Sequence, residues 1–237
     1  MTTPPHRSLL TLPDGRVLAW LEVGDSDGVV VLCHHGGLVS ASDVVPLAEA
    51  ARGAGVRLVS FDRPGIGGSS PQPGRTMLDG ARDAERLLDH LGVGEAHLLG
   101  WSMGGQYALA TAHHLGARVR RTALVAGCPP LDEPGTLAEL NAMDRSFTAL
   151  AQDHVRMLEV KAAVLGGLAR FLPRVWARAS ARGEPAVDAA AIAAAGGHLA
   201  ASAADAVAHG TDGVVEEYRA WVRPWGFMPA DVATPVD

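Results

Sequence analysis

The feature that most constrains the fold of this sequence is a series of short, largely apolar runs that alternate with helical patterns. The runs have the length of strands and are bounded by Gly, Pro and Asp. Apolar runs without polar alternation are typical of parallel strands that helices cover on both faces. The spacing therefore predicts an α/β fold with a mostly parallel, doubly wound sheet, built on residues 29–33, 56–61, 96–99 and 119–126.

Turn and capping residues predict the other elements of this region. Residues 8–12 and 16–23 alternate around the turn tripeptide Pro13-Asp14-Gly15, which indicates an antiparallel pair at the start of the sheet. Asp43 is predicted to cap a helix that has Pro46 in its first turn and ends at a Gly-Ala-Gly segment. Two further helices are predicted between the strands, at residues 77–91 and 103–115.

The second half of the sequence shows helical patterns and no further strand. We predict helices at residues 136–150, 153–169, 187–209 and 214–221. A helical insertion above the carboxyl edge of the sheet accounts for this change of pattern. The sequence thus predicts three parts: an α/β core over residues 1–132, a helical cap over 133–225, and a return to the core over 226–237.

The overall charge and composition exclude several classes of partner. With a formal charge of -6, the chain lacks the basic footprint of a nucleic-acid-binding protein, and it has no run of Lys and Arg for a membrane surface. Its two cysteines, Cys33 and Cys128, lack metal or redox spacing. We find no signal peptide and no stretch of ~18 apolar residues. We expect a cytoplasmic protein with a small-molecule partner and no metal or organic cofactor.

The clearest chemical motif is Gly100-Trp101-Ser102-Met103-Gly104, a Gly-x-Ser-x-Gly pattern between a predicted strand and a predicted helix. The pattern alone is short enough to arise by chance, but this strand-turn-helix context is the one that the motif requires. Small flanking residues permit a sharp turn that exposes the Ser102 hydroxyl above the sheet, at the positive end of the helix. Ser102 is therefore the predicted nucleophile.

Two other loops carry related motifs. His35-Gly36-Gly37 follows the first buried run, and Asp62-Arg63-Pro64-Gly65, continued by Gly67 and Ser69, follows the second. With the Ser102 motif after the third run, these loops stand at the carboxyl ends of successive strands. In this order the sequence resembles the α/β-hydrolase family, from about residue 8 to the last residue, with the helical stretch in the place of the family's variable cap. The resemblance is specific for the fold and the nucleophile, and not for the substrate.

The resemblance implies roles for the residues around Ser102. The backbone N–H groups of Met103 and Gly37 are the expected oxyanion hole, with Leu38 as the alternative to Gly37 because the sequence does not fix the register of this loop. Two such donors stabilise the negative charge of a tetrahedral intermediate where it develops. Loop-fixing rather than reactive roles are implied for three further residues: His35, Asp62 and Arg63.

The same resemblance implies an acid and then a histidine after Ser102, at the ends of two further strands. No strand pattern follows the cap, and the last ten residues resemble the start of the next strand. We expect a truncated chain, or strands that are disordered or supplied by a second polypeptide, and an unpaired sheet edge at residues 119–126. Within the chain, Asp132 is a candidate acid, and His198 and His209 are candidate bases from the cap.

Three functions are consistent with this sequence. The leading hypothesis is a serine hydrolase that cleaves a small ester, thioester or amide through an acyl-Ser102 intermediate, when completed by the C-terminal elements. The second is a non-catalytic hydrolase fold that binds a small ligand under its cap. The third is a hydrolase-fold lyase that uses the same serine and oxyanion hole.

Overall fold

A computed structural model describes residues 6–131, 135–182 and 185–237 of the chain. Its centre is a six-stranded sheet with the spatial order β1-β2-β4-β3-β5-β6. Strands β1 and β2 form the antiparallel start, β2 pairs with β4 in antiparallel fashion, and β3 to β6 are parallel. The predicted α/β fold with a mostly parallel sheet is confirmed. The strands are β1 (Ser8–Thr11), β2 (Val17–Gly24), β3 (Val29–His34), β4 (Val56–Phe61), β5 (Ala96–Trp101) and β6 (Val119–Val125).

Helices cover both faces of the sheet, as doubly wound architecture requires. Helix α1 (Ala48–Gly53) lies on one face, and α2 (Met77–His90) and α3 (Gly104–Leu115) pack together on the other. Because strand side chains alternate between faces, adjacent residues such as Leu58 and Val59 enter different cores. Leu58 packs toward α1, whereas Val59 packs toward α2 and α3. Both faces of β4, near the middle of the sheet, are therefore buried.

The prediction that Asp43 caps a regular helix is wrong. Residues Ala41–Leu47 form a 3-10 helix whose cap is Ser40, and α1 follows it. Pro46 has no N–H to offer to the carbonyl of Ser42, so an α-helical hydrogen bond cannot form at this point. The Ser42 carbonyl instead accepts a hydrogen bond from His198 Nε2 of the cap, at 2.9 Å. Asp43 is consequently free to turn inward.

Among the described residues, six α-helices follow β6 and form the helical region that was predicted as a cap. The predicted helix at 136–150 is divided, because Asn141 caps a new helix by accepting the Asp144 N–H at Oδ1, at 2.9 Å. One helix that starts at Pro173 was not predicted. The helices are α4 (Thr136–Glu139), α5 (Ala142–Asp153), α6 (Val155–Phe171), α7 (Pro173–Ser180), α8 (Ala186–Ala206) and α9 (Asp212–Trp221).

Helix α8 is, within the described ranges, the one helix long and apolar enough to cross a membrane by length and composition. Its mean hydropathy reaches 1.2, a value that comes mainly from alanine. Asp188, His198 and Asp205 interrupt it, and it packs against α6 and α7. Helix α8 is thus part of the helical region after β6, and the helices α4 to α9 are called the cap below.

The last residues of the chain return to the sheet beside β6. The N–H groups of Thr122 and Leu124 donate to the carbonyls of Pro235 and Asp237, at 2.9 and 2.8 Å, and the Asp237 N–H donates back to Thr122. Val236 pairs with Thr122 in parallel orientation. The expectation of a wholly unpaired edge at β6 is therefore wrong, because residues 235–237 satisfy its central backbone groups. The domain boundaries at 132/133 and 225/226 stay a prediction.

Candidate active site

The turn between β5 and α3 places Ser102 in a strained conformation. Its φ is 51°, in the left-handed region that non-glycine residues rarely adopt. The Ser102 N–H donates to the Val125 carbonyl of β6 at 2.9 Å, and its carbonyl accepts from the Gly105 N–H at 2.9 Å. These two hydrogen bonds hold the turn against its strain. Such strain in a sharp strand-to-helix turn is typical of an exposed nucleophile.

The glycines on either side of Ser102 are required by close backbone approach. A Cβ atom on Gly100 would lie 2.5 Å from the Gly104 carbonyl oxygen. A Cβ atom on Gly104 would lie 2.0 Å from the His34 carbonyl oxygen. Both distances are shorter than any van der Waals contact, so the turn and the loop after β3 can be this close only with glycine.

The predicted oxyanion donors lie next to each other. A Cβ atom on Gly37 would be 3.2 Å from Met103 Cε, so the loop after β3 touches the residue that follows Ser102. Within the described part of the chain, no hydrogen bond uses the backbone N–H of Gly37, Leu38 or Met103. Leu38 has a φ of 62°, which marks a second strained position in this loop. The choice between Gly37 and Leu38 as donor therefore stays open.

His35 holds the loop that carries these donors. Its Nδ1 donates to the Gly36 carbonyl at 2.8 Å, and its Nε2 accepts the Arg63 N–H at 3.3 Å. Burial, with the nearby Arg63 guanidinium, keeps the pKa of His35 well below its usual value, so the ring is neutral. Because both nitrogens are engaged, His35 makes no hydrogen bond to Ser102.

Arg63 connects the same loop to the cap. Its guanidinium donates to the carbonyls of His35 and Gly36, at 2.6 and 3.0 Å. Its Nε donates to Glu217 Oε1 of α9 at 2.5 Å, and Arg75 Nη2 lies 3.6 Å from the same oxygen. All three ionic side chains are fully buried. A carboxylate of the cap thus balances two core arginines, one of which fixes the backbone before Gly37.

Asp43 forms a second support, on the other side of this loop. Its Oδ2 accepts the Gly36 N–H at 3.2 Å and the Trp101 indole N–H at 2.5 Å. Burial raises the pKa of Asp43 to about 7, while these hydrogen bonds and Arg63 oppose the rise. Asp43 therefore joins the loop after β3 to the residue that precedes Ser102.

Asp62 organises the loop after β4. Its carboxylate accepts the N–H groups of Ala41 and Gly68, at 2.8 and 3.0 Å, and Arg7 Nε lies 2.9 Å from Oδ2. Burial raises the pKa of Asp62, and the positive charge of Arg7 opposes the rise. These contacts hold two backbone segments together, and none of them reaches Ser102.

Ser102 opens into a cavity of about 550 Å³ between the sheet and the cap. Three carboxyl side chains line it, from Glu139, Asp144 and Asp188, and its described lining has no Arg or Lys. Asp144 accepts the Tyr218 hydroxyl at 2.9 Å, and burial raises its pKa. The volume suits a small molecule. The remaining lining residues are mostly small or apolar: Trp101, Ala126, Gly127, Cys128, Pro129, Thr136, Leu140, Asn141, Ala191 and Ile192.

Cys128 lies beside Ser102 in this cavity, a position that its sequence context did not indicate. Burial, reinforced by the charge of Asp144, raises the pKa of the Cys128 thiol to about 12. The side chains of Ser102 and Gln106 are near enough to oppose that rise. The thiol is therefore protonated at neutral pH and acts as part of the cavity wall, since the thiolate is the reactive form.

The candidate bases from the cap do not reach Ser102. His198 bonds to the Ser42 carbonyl, and His209 Nδ1 bonds to the Gly67 carbonyl at 2.8 Å. In the described part of the chain, no histidine forms a hydrogen bond with Ser102. Asp132, the candidate acid, lies outside the described residues. Among the described residues, no group of three His, Cys, Asp or Glu side chains is arranged to hold a metal ion.

Comparison with known proteins agrees with this architecture. The family model of the alpha/beta hydrolase fold matches residues 29–155, more than half of the chain. This match covers the three loops of the site. The chain belongs to the α/β-hydrolase fold family.

Several curated proteins resemble the chain. One is the dihydrolipoyllysine-residue acetyltransferase component of the acetoin cleaving system of Pseudomonas putida, to which the chain is 34% identical over 113 residues. The aligned segment covers 47% of this chain and 30% of that protein. The chain is also 32% identical over 124 residues to a non-heme chloroperoxidase of Streptomyces lividans. This alignment covers 52% of this chain and 45% of the chloroperoxidase. A bifunctional esterase/perhydrolase of Acinetobacter calcoaceticus is 30% identical to the chain over 124 residues, and the alignment covers 52% of this chain and 45% of that protein. The chain matches less than half the length of each of these relatives.

Solved structures share the fold over most of the chain. An esterase from Exiguobacterium antarcticum has a TM-score of 0.64 and 19% identity, with 91% of this chain and 73% of that one covered. A bromoperoxidase from Bacillus anthracis has the same TM-score and identity, with 98% and 79% covered. At this level of identity the likeness shows the fold alone.

Proposed function

We propose that this protein is a serine hydrolase that cleaves a small ester, thioester or amide through an acyl-Ser102 intermediate. The observation that carries the proposal is the strained Ser102, at φ 51° on the wall of a cavity of about 550 Å³. Beside it lie N–H groups of Met103 and of the Gly37–Leu38 turn that bond to no described residue. A nucleophile beside free N–H donors is one part of what acyl transfer needs, and a base is the other.

The chemistry follows from these positions. Ser102 Oγ attacks the carbonyl carbon, and the carbonyl oxygen becomes an oxyanion that the two N–H groups stabilise. Collapse of the intermediate expels the alcohol, thiol or amine and leaves the acyl group on Ser102, and water then releases the acid. A serine hydroxyl needs a base for this attack. Because no histidine of the described residues bonds to Ser102, we propose that the base and acid come from C-terminal elements or a second chain.

The charge of the cavity favours one kind of substrate. Glu139, Asp144 and Asp188 line it, and its described lining has no Arg or Lys, although the nearby charge of Lys161 acts on Asp144. A carboxylate or phosphate on the substrate would be repelled by these side chains, whereas a neutral or cationic group would not. We propose a small neutral or cationic acyl compound, with no metal or organic cofactor.

Labelling with a fluorophosphonate tests the nucleophile. We expect one phosphonylated residue, located at Ser102 by peptide mass spectrometry. Ser102→Ala should abolish the label, and Ser26→Ala, a change at an exposed loop serine, should leave it intact. No label on Ser102 in folded protein that includes the completing C-terminal elements or second chain would contradict the proposal. Intact mass spectrometry of the same sample shows whether a companion chain is present.

The second candidate function is ligand binding without turnover. The observation that favours it is the absence, among the described residues, of a histidine bonded to Ser102. The two functions differ in their response to one substitution. A binding protein keeps its affinity for a cavity ligand in the Ser102→Ala variant and shows no turnover, whereas a hydrolase loses hydrolysis in that variant.

A further inference from the structure

The charges of this chain are distributed very unevenly. Residues 155–182, which comprise α6 and α7, contain six basic residues and one acidic residue, a net charge of +5. The rest of the chain therefore carries -11. Four of the arginines stand at intervals of four residues, so they do not form a run in the sequence, although they share one region of the folded cap. These arginines are Arg170, Arg174, Arg178 and Arg182.

The outward side of α6 is apolar, which is unusual for a helix at a protein surface. Its buried residues, at 158, 162, 166 and 169, lie on one side of the helix. Four apolar residues of α6, spaced three, four and seven positions apart, form a stripe on the opposite side of the helix. Most of each side chain in this stripe is exposed: Met157 (60%), Val160 (64%), Val164 (57%) and Phe171 (75%).

Helix α7 extends this apolar surface and adds positive charge to it. Leu172 and Val175 are about half exposed, and α7 has no buried residue. Arg174 and Arg178 are exposed on α7 and form no ion pair within the described ranges. They line a groove of about 470 Å³ against the small residues of α8. We call this region, residues 155–182, the α6–α7 surface.

We propose that the α6–α7 surface docks on the face of an anionic lipid bilayer. Exposed apolar side chains flanked by exposed arginines are what a helix needs to lie in the interfacial region of such a bilayer. Phe171, Val164 and Val160 would enter the acyl boundary, while Arg174 and Arg178 would meet lipid phosphates in the groove. The expectation of no membrane contact was based on the absence of a basic run, and the structure places Arg174 and Arg178 along one groove although they are separated in the sequence.

The charge on this surface favours an anionic bilayer over a symmetric pairing of two copies of the chain. Two copies that met through α6 and α7 would bring two surfaces of +5 together, and this repulsion disfavours a symmetric dimer. An anionic bilayer has the complementary sign. Because the surface is remote in sequence from Ser102, the proposal does not depend on the hydrolase function.

Vesicle co-sedimentation tests the proposal with the protein as it exists. We expect binding to vesicles of phosphatidylcholine with about 30% phosphatidylglycerol, and little binding to phosphatidylcholine alone. Salt at 0.5 M should weaken the binding, because ions screen exposed charges. Each arginine near the surface contributes roughly five-fold to partitioning, so reversing two charges in R174E/R178E should lower it by more than 25-fold. Phe171→Ser tests the apolar contribution and should also reduce binding.

A matched control distinguishes the effect of the α6–α7 surface on vesicle binding from the effect of the net charge of the protein. Arg82 and Arg86 are also four residues apart on an exposed helix side, on α2. R82E/R86E makes the same change in net charge and should retain most of the binding. The proposal is overturned if the wild type does not bind anionic vesicles, or if both double variants lose binding equally. It is also overturned if millimolar inorganic phosphate abolishes binding at constant ionic strength, or if the protein binds polyglutamate in preference to the vesicles.

Discussion

Removing the charge of Glu217 should destabilise the fold strongly. Glu217 is fully buried, with Oε1 at 2.5 Å from Arg63 Nε and 3.6 Å from Arg75 Nη2. Glu217→Gln keeps the size and one oxygen acceptor, but leaves two buried guanidinium groups without their counter-charge. Loss of one partner of a buried ion pair typically costs about 3–5 kcal/mol. Since the amide oxygen can still accept from Arg63, we expect about 3 kcal/mol. That is a large part of the ~5–15 kcal/mol by which domains are stable.

Urea unfolding followed by circular dichroism measures this loss. The matched control is Glu95→Gln, which removes a carboxylate 2.5 Å from Arg120 at an exposed site. Exposed ion pairs contribute at most about 1 kcal/mol, so the control should unfold close to the wild-type midpoint. A loss of less than about 1 kcal/mol in Glu217→Gln, with an unchanged slope, would refute the reasoning. If the variant does not refold reversibly, thermal unfolding temperatures of the two variants give the same comparison.

Three further predictions concern the turn, the oxyanion loop and a helix end. Gly104→Ala would place Cβ 2.0 Å from the His34 carbonyl oxygen and should abolish fluorophosphonate labelling of Ser102. The control Gly94→Ala, whose Cβ would have nothing within 4 Å, should keep the label. Equal labelling of both variants would contradict this. The pKa of Asp43 is about 7 when folded against ~3.9 when unfolded, so the native state holds this proton more tightly. The contribution of Asp43 to the free energy of unfolding therefore falls as pH rises from about 4 to about 7. In urea unfolding at several pH values, Asp43→Asn should lose less stability over this range than the wild type. An unchanged pH dependence in the variant would exclude this role. Thr76→Ala removes the capping box of α2 and should cost about 1 kcal/mol in thermal unfolding; no change in melting temperature would show that the cap is dispensable.

The strands of the core could be predicted because burial on both faces leaves a clear signal in the sequence. Residues 56–61 were predicted as a strand with the bounds that β4 has. The start of the helix after β3 was harder to predict. Aspartate is a common helix cap, but the Asp43 carboxylate instead accepts hydrogen bonds in the interior. Its partners, Gly36 and Trp101, are 7 and 58 residues away in the sequence. No local pattern records a contact of this kind.

The cap was predicted as helical, and the predicted helices at 153–169, 187–209 and 214–221 lie at α6, α8 and α9, but the break near residue 141 and helix α7 were not predicted. Its Ala-rich helices give little contrast between a buried and an exposed side, so periodicity alone does not fix where one ends. Asn141, which lies inside the predicted helix 136–150 and caps α5, is a local signal that could have shown the division. Pro173 at the start of α7 is another, since proline is favoured in the first turn of a helix.

The candidate site was predictable where a turn dictates the residue type. Ser102 and its flanking glycines carry such a pattern, and the structure places them between β5 and α3. Cys128 and Glu217 could not have been assigned in this way, because each reaches its position through the packing of the cap on the sheet. An isolated Cys or Glu in a sequence has many equivalent positions, and only the folded chain distinguishes them.

The left-handed conformation of Ser102 has a consequence for how this position would change over time. A non-glycine residue in such a conformation is destabilised by roughly 1–3 kcal/mol, whereas glycine adopts it without a steric penalty. In a lineage that had lost the chemistry, drift to glycine at this position would make the fold more stable at no functional loss. A serine is the less stable choice at position 102, and only a hydroxyl at that point of the cavity gives a reason to retain it.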